Sequence, residues 1–270
     1  MELLVTLLLL ASPVALAKSS PSLPAIFTFG DSIFDAGNNH FNKNCTAQAD
    51  FPPYGSSFFH QPTGRFTNGR TVADFISQFI GLPLQKPFLE LHIQILNGTL
   101  KRFPSNGINF ASAGARRIAI FSLGPVGCVP ARALLPNAPT NKCFGKMNVM
   151  AKKYNRRLED IVNIIPTKYP GSIAVFGAVY AITHRFQTYP ARYGFSDVSN
   201  ACCGGGTLGG LKQCGREGYK ICNNPNEFMF WDFYHPTERT YHLMSKALWN
   251  GNINKIRPFN LMALATNFTF

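Results

Sequence analysis

Short apolar runs alternate with amphipathic segments along this chain. Apolar runs bounded by turn residues predict buried strands at 25–29, 107–111, 117–123 and 172–177. Helices are predicted at 71–80, 146–165 and 236–249, the last with Pro236 in its first turn and Gly251 just beyond its end. Because strands alternate with helices, we predict an α/β fold built on a parallel sheet.

The helix predicted at 146–165 separates apolar from basic positions. Its apolar residues recur at the spacing of a buried helix face: Met147, Met150, Tyr154, Leu158, Ile161 and Ile165. The cations are expected on the solvated face: Lys152, Lys153, Arg156 and Arg157. The net charge of +13 is scattered in this way, which argues against a nucleic-acid surface. Anionic wall polymers or lipid headgroups are the partners that the basic surface suggests, and the sequence does not choose between them.

One junction breaks the alternation of strands and helices. The predicted strand 107–111 leads through residues 112–116 directly into strand 117–123. Parallel neighbours need a crossover of about a dozen residues or more, usually containing a helix. Either these two strands are antiparallel, or the sheet lacks the unit that normally separates them.

The N-terminus carries the pattern of an export signal. An apolar run over residues 3–10 is followed by Ala15-Leu16-Ala17 and then by polar residues, so residues 1–17 are predicted to be a signal peptide. The apolar run is too short for a transmembrane helix, and no later segment reaches the required length of about 20 apolar residues. Acceptor sequons begin at Asn44, Asn97 and Asn267. We therefore expect a secreted, extracellular protein with one domain over residues 18–270.

The seven cysteines fit that compartment, where most thiols are oxidised. A zinc site is the competing interpretation, but the chain has no Cys-x-x-Cys pair and no closely spaced histidine pair. We expect no metal and no cofactor. Cys45 is left over, either free or without its natural partner. Disulfides are expected within the cluster Cys202, Cys203, Cys214 and Cys222, and between Cys128 and Cys143.

Two short motifs near opposite ends of the chain suggest hydrolytic chemistry. Ser32 follows the first predicted strand in a Gly-Asp-Ser turn, where open α/β sheets place their sites. Asp232 and His235 lie three residues apart in a loop that enters a helix. A serine, a base and a carboxylate that orients the base are the parts of a hydrolytic triad. We predict that Ser32, Asp232 and His235 are catalytic and lie close together.

These motifs resemble the plant GDSL esterase/lipase family of the SGNH hydrolases. Residues 29–39 are similar to the family's nucleophile block, and residues 109–114 to its second block, whose glycine helps form the oxyanion hole. Residues 232–236 resemble the final Asp-x-x-His-Pro block. The resemblance implies a flavodoxin-like, three-layer α/β/α fold. It also implies a secreted serine esterase or lipase whose oxyanion hole includes the N–H groups of Ser32 and Gly114, acting on an ester or lipid substrate.

One block of the family is absent. The chain contains no Asn-Asp dipeptide, although the family's third block supplies an oxyanion-hole asparagine in a Gly-x-Asn-Asp motif. Its expected place is the junction at 114–117, where the crossover is also missing. The resemblance thus implies that the chain lacks an internal segment with the central strand of the sheet. Two hypotheses follow: a serine esterase that works through an acyl-enzyme, or an impaired isoform that retains only surface binding to cell-wall or lipid material.

Overall fold

The computed structural model describes residues 25–42, 47–105, 107 and 117–266. The predicted signal peptide, Cys45, the sequons at Asn44 and Asn267, Gly114 and most of the 107–117 junction lie outside the described residues. The helices are α1 (Asn38–Phe41), α2 (Val72–Phe79), α3 (Phe88–Leu96), α4 (Gly145–Lys168), α5 (Val179–Thr188), α6 (Glu238–Asn250) and α7 (Leu261–Thr266). The strands are β1 (Arg117–Phe121), β2 (Ile173–Gly177), β3 (Asp197–Ala201), β4 (Cys203–Gly204), β5 (Lys220–Ile221), β6 (Phe228–Phe230) and β7 (Ile256–Arg257).

The central sheet of the described chain has the order β1-β2-β7. Strands β1 and β2 are parallel, with Arg117 opposite Ile173 and Phe121 opposite Gly177. Strand β7 pairs with β2 in the antiparallel direction. Strand β6, which leads into the loop of Asp232, pairs with β3 in a separate two-stranded sheet.

Helices cover both faces of the central sheet. Successive strand residues point to opposite sides, so an apolar strand such as β2 presents apolar side chains to both faces. On one face, Val162 and Ile165 of α4 pack with Ala174 and Phe176 of β2. On the other face lies the main core, formed by side chains of α2, α5, α6 and the strands: Val72, Phe75, Val175, Ile182, Met244 and Leu248. The predicted α/β fold is confirmed. The loss of a central strand stays a prediction, because its junction lies outside the described residues.

The strands predicted at 117–123 and 172–177 are confirmed as β1 and β2, and the three predicted helices as α2, α4 and α6. The strand predicted at 25–29 is wrong: these residues have no regular secondary structure, and Phe27 and Phe29 are 54% and 56% exposed. Instead of a neighbouring strand, the side chain of Gln85 bonds this segment, donating to the Ile26 carbonyl and accepting from the Thr28 hydroxyl. A strand is defined by its ladder with another strand, and residues 25–29 belong to none of the sheets in the described chain.

The apolar stripe predicted on α4 is wrong in part. Met150 and Tyr154 are 70% and 53% exposed, whereas Asn155 is buried. The reason is a polar contact: the Asn155 side chain accepts from the backbone N–H of Leu123 at 2.8 Å and donates to its carbonyl at 2.9 Å. These two bonds, just beyond the end of β1, fix which face of α4 meets the sheet. The apolar side chains left exposed on α4 are Val149, Met150, Tyr154, Ile161 and Ile164.

The predicted disulfides are confirmed, and none of their cysteines lies in the central sheet. The disulfides join Cys128 to Cys143, Cys202 to Cys222, and Cys203 to Cys214.

Two further findings concern the predicted export. Among the residues that the structure covers, no helix has both the length and the apolar character needed to cross a bilayer. Asn97, the acceptor of the described sequon, is exposed just after α3.

Candidate active site

Ser32 lies in a turn held by two aspartates of its own loop. The carboxylate of Asp31 accepts from the N–H of Ile33 at 3.1 Å, and the Asp31 carbonyl accepts from the N–H of Phe34. Asp35 then accepts from the backbone N–H groups at the start of α1, among them Gly37 at 2.8 Å. Short polar side chains favour such turns over continued strand or helix. The turn leaves Ser32 partly exposed, so that a substrate can reach it.

Asp232 and His235 lie on the loop between β6 and α6. Asp232 Oδ1 accepts from the backbone N–H groups of Tyr234 and His235, both at 2.8 Å. The carbonyl of His235 accepts from the N–H of Trp231 at 2.7 Å, which closes the loop. Helix α6 then begins at the N-cap residue Thr237, whose hydroxyl accepts from the N–H of Thr240. The loop is thus closed by hydrogen bonds between residues that are near one another in sequence.

The structure brings the three predicted side chains together. His235 Nε2 lies 2.8 Å from Ser32 Oγ, and His235 Nδ1 lies 2.8 Å and 2.9 Å from the two oxygens of Asp232. Because an ionised carboxylate can only accept, Nδ1 must donate to Asp232, which leaves Nε2 to accept from the serine hydroxyl. This is the arrangement in which an imidazole can remove the proton of a serine.

The carboxylate of Asp232 is fully buried but remains ionised at neutral pH. Burial on its own raises the pKa of Asp232, but the opposite charge and hydrogen bonds of His235, Tyr54 and Tyr234 outweigh it and hold the pKa below its ordinary value. On the other side of the imidazole, the Phe66 ring lies 4.7 Å from that of His235. His235 is therefore largely buried, with Asp232, Phe66 and Ser32 around its ring.

Sequence reasoning missed Tyr54 and Phe66. The hydroxyl of Tyr54 donates to Asp232 Oδ2 at 2.7 Å across 178 residues of sequence. Both residues belong to a loop-rich stretch, and the only available signal was the presence of large aromatic side chains in a segment rich in proline and glycine. Of the two predicted oxyanion-hole residues, Ser32 is at the site and Gly114 lies outside the described residues. In the described part of the chain, no three His, Cys, Asp or Glu side chains cluster as metal ligands.

Comparison with known proteins gives consistent matches. The family model described as GDSL-like Lipase/Acylhydrolase matches residues 26–117 and 85–248. The chain is 67% identical to GDSL esterase/lipase 6 of Arabidopsis thaliana over 354 aligned positions, which span 99% of this chain and 97% of the relative. It is 29% identical to GDSL esterase/lipase 7 of Arabidopsis thaliana, with 91% and 93% covered. It is 26% identical to a GDSL lipase of Tanacetum cinerariifolium, with 97% and 93% covered.

Proposed function

The chain belongs to the GDSL-like lipase/acylhydrolase family of ester hydrolases, and we propose that it cleaves carboxylic esters through an acyl-enzyme on Ser32. The observation that carries this proposal is the continuous hydrogen-bonded chain from Ser32 Oγ through His235 to Asp232. No cofactor enters the mechanism, since nucleophile, base and orienting carboxylate are all side chains of this protein.

In the acylation half, His235 Nε2 takes the proton of Ser32 as Oγ attacks the ester carbonyl carbon. The carbonyl oxygen becomes an oxyanion, and Asp232 stabilises the imidazolium that forms. Collapse of the tetrahedral intermediate breaks the bond to the alkoxy oxygen, which receives the proton from His235 and leaves as an alcohol. The product is an ester between Ser32 and the acyl group.

In the deacylation half, water takes the place of the alcohol. His235 removes a proton from the water as its oxygen attacks the acyl carbon, and a second oxyanion forms. When this intermediate collapses, Ser32 Oγ leaves and recovers its proton from His235, and the carboxylic acid departs. The backbone N–H groups of Ser32 and Gly114 are the proposed donors to both oxyanions.

We also propose that the chain lacks an internal segment near 114–117. The alignment with GDSL esterase/lipase 6 runs over 354 positions, whereas the chain has 270 residues, so at least 84 aligned positions (354 less 270) have no residue in this chain. The family model also matches in two parts rather than in one, and the first part, over 26–117, ends at that junction, while the second, over 85–248, overlaps it. Loss of one oxyanion donor with this segment costs about 10²–10³ in rate.

A second candidate function is supported by the same gap and by the exposed apolar side chains of α4. On this alternative the chain is an impaired isoform that keeps only surface binding to cell-wall or lipid material. The two candidates differ in the reactivity of Ser32: an esterase has an activated nucleophile, and a binding isoform does not need one.

The test is labelling of the folded protein by a fluorophosphonate probe, together with hydrolysis of a short-chain p-nitrophenyl ester. An esterase is labelled and turns over, and both signals disappear in Ser32→Ala. The matched control is Ser56→Ala, which removes an exposed serine hydroxyl outside the triad and keeps both signals. Absence of labelling in a folded wild-type chain would favour the binding isoform.

A second chain tests the missing segment. Insertion at 114–117 of the additional positions of the Arabidopsis relative should raise both ester hydrolysis and melting temperature. Equal activity and equal melting temperature in the two chains would count against a missing unit.

Export is proposed from residues 1–17, the disulfides and the exposed sequon at Asn97. N-terminal sequencing of protein recovered from the medium of expressing plant cells should begin near Lys18. Material that still begins at Met1 would contradict a cleaved signal peptide.

A further inference from the structure

Tyr54 reaches the buried end of the proposed triad from a distant loop. Its side chain is only 2% exposed, and its hydroxyl lies 2.7 Å from Asp232 Oδ2. The carboxylate also interacts with His235 and with the N–H groups of two residues of its own loop, at positions 234 and 235. Tyr54 is thus the long-range donor to Asp232 among the described hydrogen bonds.

The direction of this hydrogen bond is fixed by chemistry. An ionised carboxylate has no proton to give, so the phenol must donate. Burial first, and then the charge of Asp232, raise the pKa of Tyr54 far above its ordinary value. The phenol therefore stays protonated throughout the pH range in which a serine esterase works, and it remains a neutral donor.

The Tyr54 ring is held rigidly by aromatic neighbours. It makes edge-on contacts with Phe66 and Trp231, at centroid distances of 6.2 Å and 6.4 Å. Trp231 precedes Asp232 in the chain, and Phe66 packs on the ring of His235. The Cys203–Cys214 disulfide lies in the same buried cluster. The hydroxyl is consequently placed by packing, and it holds Oδ2 in a defined position.

We propose that Tyr54 is a positioning residue for the reaction: it anchors the Asp232 carboxylate so that the carboxylate orients His235 toward Ser32. This inference rests on the proposed ester hydrolysis. Without the phenol, the buried Oδ2 keeps only His235 Nδ1 as a described donor, and the carboxylate is held less firmly in the position that orients the imidazole. A misplaced imidazole slows proton transfer from Ser32 and leaves substrate binding nearly unchanged.

Loss of this donor also changes the pH dependence. Asp232 becomes a stronger base, so the Asp232–His235 pair retains a proton to higher pH and the acid limb of the rate profile moves upward. Other titratable or charged groups act on Asp232 or Tyr54 from the surrounding loops and α6, namely Arg216, His235 and Tyr241, and Asp31 acts in turn on Tyr241. All four are unchanged in Tyr54→Phe.

Tyr241 supplies a matched control. It is a fully buried tyrosine of α6. Burial is the larger cause that raises the pKa of Tyr241, and the nearby charge of Asp232 raises it further. Within the described chain its hydroxyl has no hydrogen-bond partner. Tyr241→Phe therefore removes a buried phenol oxygen from the same region without removing a bond to Asp232.

The experiment compares kcat, KM, pH profile and melting temperature for wild type, Tyr54→Phe and Tyr241→Phe. We expect Tyr54→Phe to lower kcat about 10-fold, the effect of a barrier change of about 1.4 kcal/mol, with KM within about two-fold and the acid limb at higher pH. Tyr241→Phe should match wild type in all three kinetic readouts. A Tyr54→Phe variant with wild-type kcat and pH profile overturns the proposal, and so does an equal loss in Tyr241→Phe.

Two further measurements keep the test decisive. If Tyr54→Phe does not fold, site-specific 3,5-difluorotyrosine at position 54 keeps the shape but donates more strongly, and it should move the acid limb to lower pH; an unmoved limb refutes the proposal. If wild type neither labels nor hydrolyses, the proposed function fails separately. The imidazole Nδ1 proton resonance of His235 then reports the contact: the proposal requires it to shift in Tyr54→Phe and not in Tyr241→Phe, and no shift overturns it.

Discussion

The buried ion pair between Arg65 and Asp74 is expected to be a principal determinant of stability, and Arg65→Met tests this. The guanidinium donates from Nε and Nη2 to the two carboxylate oxygens, both at 2.8 Å, and from Nη1 to the Ala36 carbonyl. Asp74 is fully buried at the start of α2 and also accepts from the N–H and hydroxyl of Thr71. The pair thus ties α2 to the loop that follows Ser32.

The magnitude follows from which groups are left behind. Methionine fills much of the arginine volume but leaves the Asp74 carboxylate buried, with Thr71 as its remaining described donor. Breaking one side of a buried pair costs about 3–5 kcal/mol, because the surviving charge loses its compensation. At about 2–4 °C per kcal/mol for a domain of this size, the melting temperature should fall by about 6–20 °C.

The assay is urea unfolding followed by tryptophan fluorescence, with Arg257→Met as the matched control. Arg257 also makes a two-pronged pair, with Glu159, but the two side chains are 36% and 27% exposed. Partly solvated pairs contribute about 0–1 kcal/mol, so this control should lose little stability. The double variant Arg65→Met/Asp74→Leu should recover part of the loss. Equal losses in Arg65→Met and Arg257→Met, or a loss below about 1 kcal/mol in the former, would refute the reasoning.

Three further predictions concern the site and its supports. Asp232→Asn should lower kcat by about 10⁴ with little change in KM, since the imidazole loses its orienting charge; steady-state kinetics measure this, and a loss under about 10-fold contradicts it. The folded pKa of Asp232 lies below its unfolded value, so its contribution to stability is full above about pH 4 and is lost as pH falls through the folded pKa. The urea midpoint of the wild type should therefore be lower at pH 3 than at pH 7, and equal midpoints would show that this linkage is absent. Replacing Cys203 and Cys214 together by serine should cost about 2–4 kcal/mol, read from unfolding midpoints under non-reducing conditions, whereas an unchanged midpoint would show that packing alone holds the cluster.

The parts of the molecule that sequence predicts are those determined by local signals. Ser32, Asp232 and His235 lie in short motifs whose turns are held by hydrogen bonds of neighbouring side chains. The local sequence therefore determines most of the backbone conformation around these three residues. Strands β1 and β2 are marked in the same way by apolar runs, and helix α6 is marked by the signals at its two ends. Composition and compartment predict that the cysteines form disulfides, whereas the pairing within the cluster of four comes from the structure.

The parts that sequence does not predict depend on contacts between distant residues. The apolar residues of α4 are numerous enough to form more than one stripe, and the polar bonds of Asn155 to Leu123 decide which stripe is buried. Residues 25–29 have the composition of a strand but adopt no regular secondary structure. Tyr54 is far from Asp232 in sequence, and no periodicity relates the two.

The contacts between the N-terminal loops and α6 have a practical consequence. Ser32 and Tyr54 come from the part of the chain before residue 105, and Asp232 and His235 from the part after residue 117. Those two parts are joined by Asn68 and Arg70, which bond Glu238 at 2.9 Å and 2.6 Å, and by packing of α2 on α6. A chain cut between them would give two polypeptides, each with half of the site. Colour release from an ester substrate would then report their reassociation, which makes this protein a scaffold for a split-enzyme sensor.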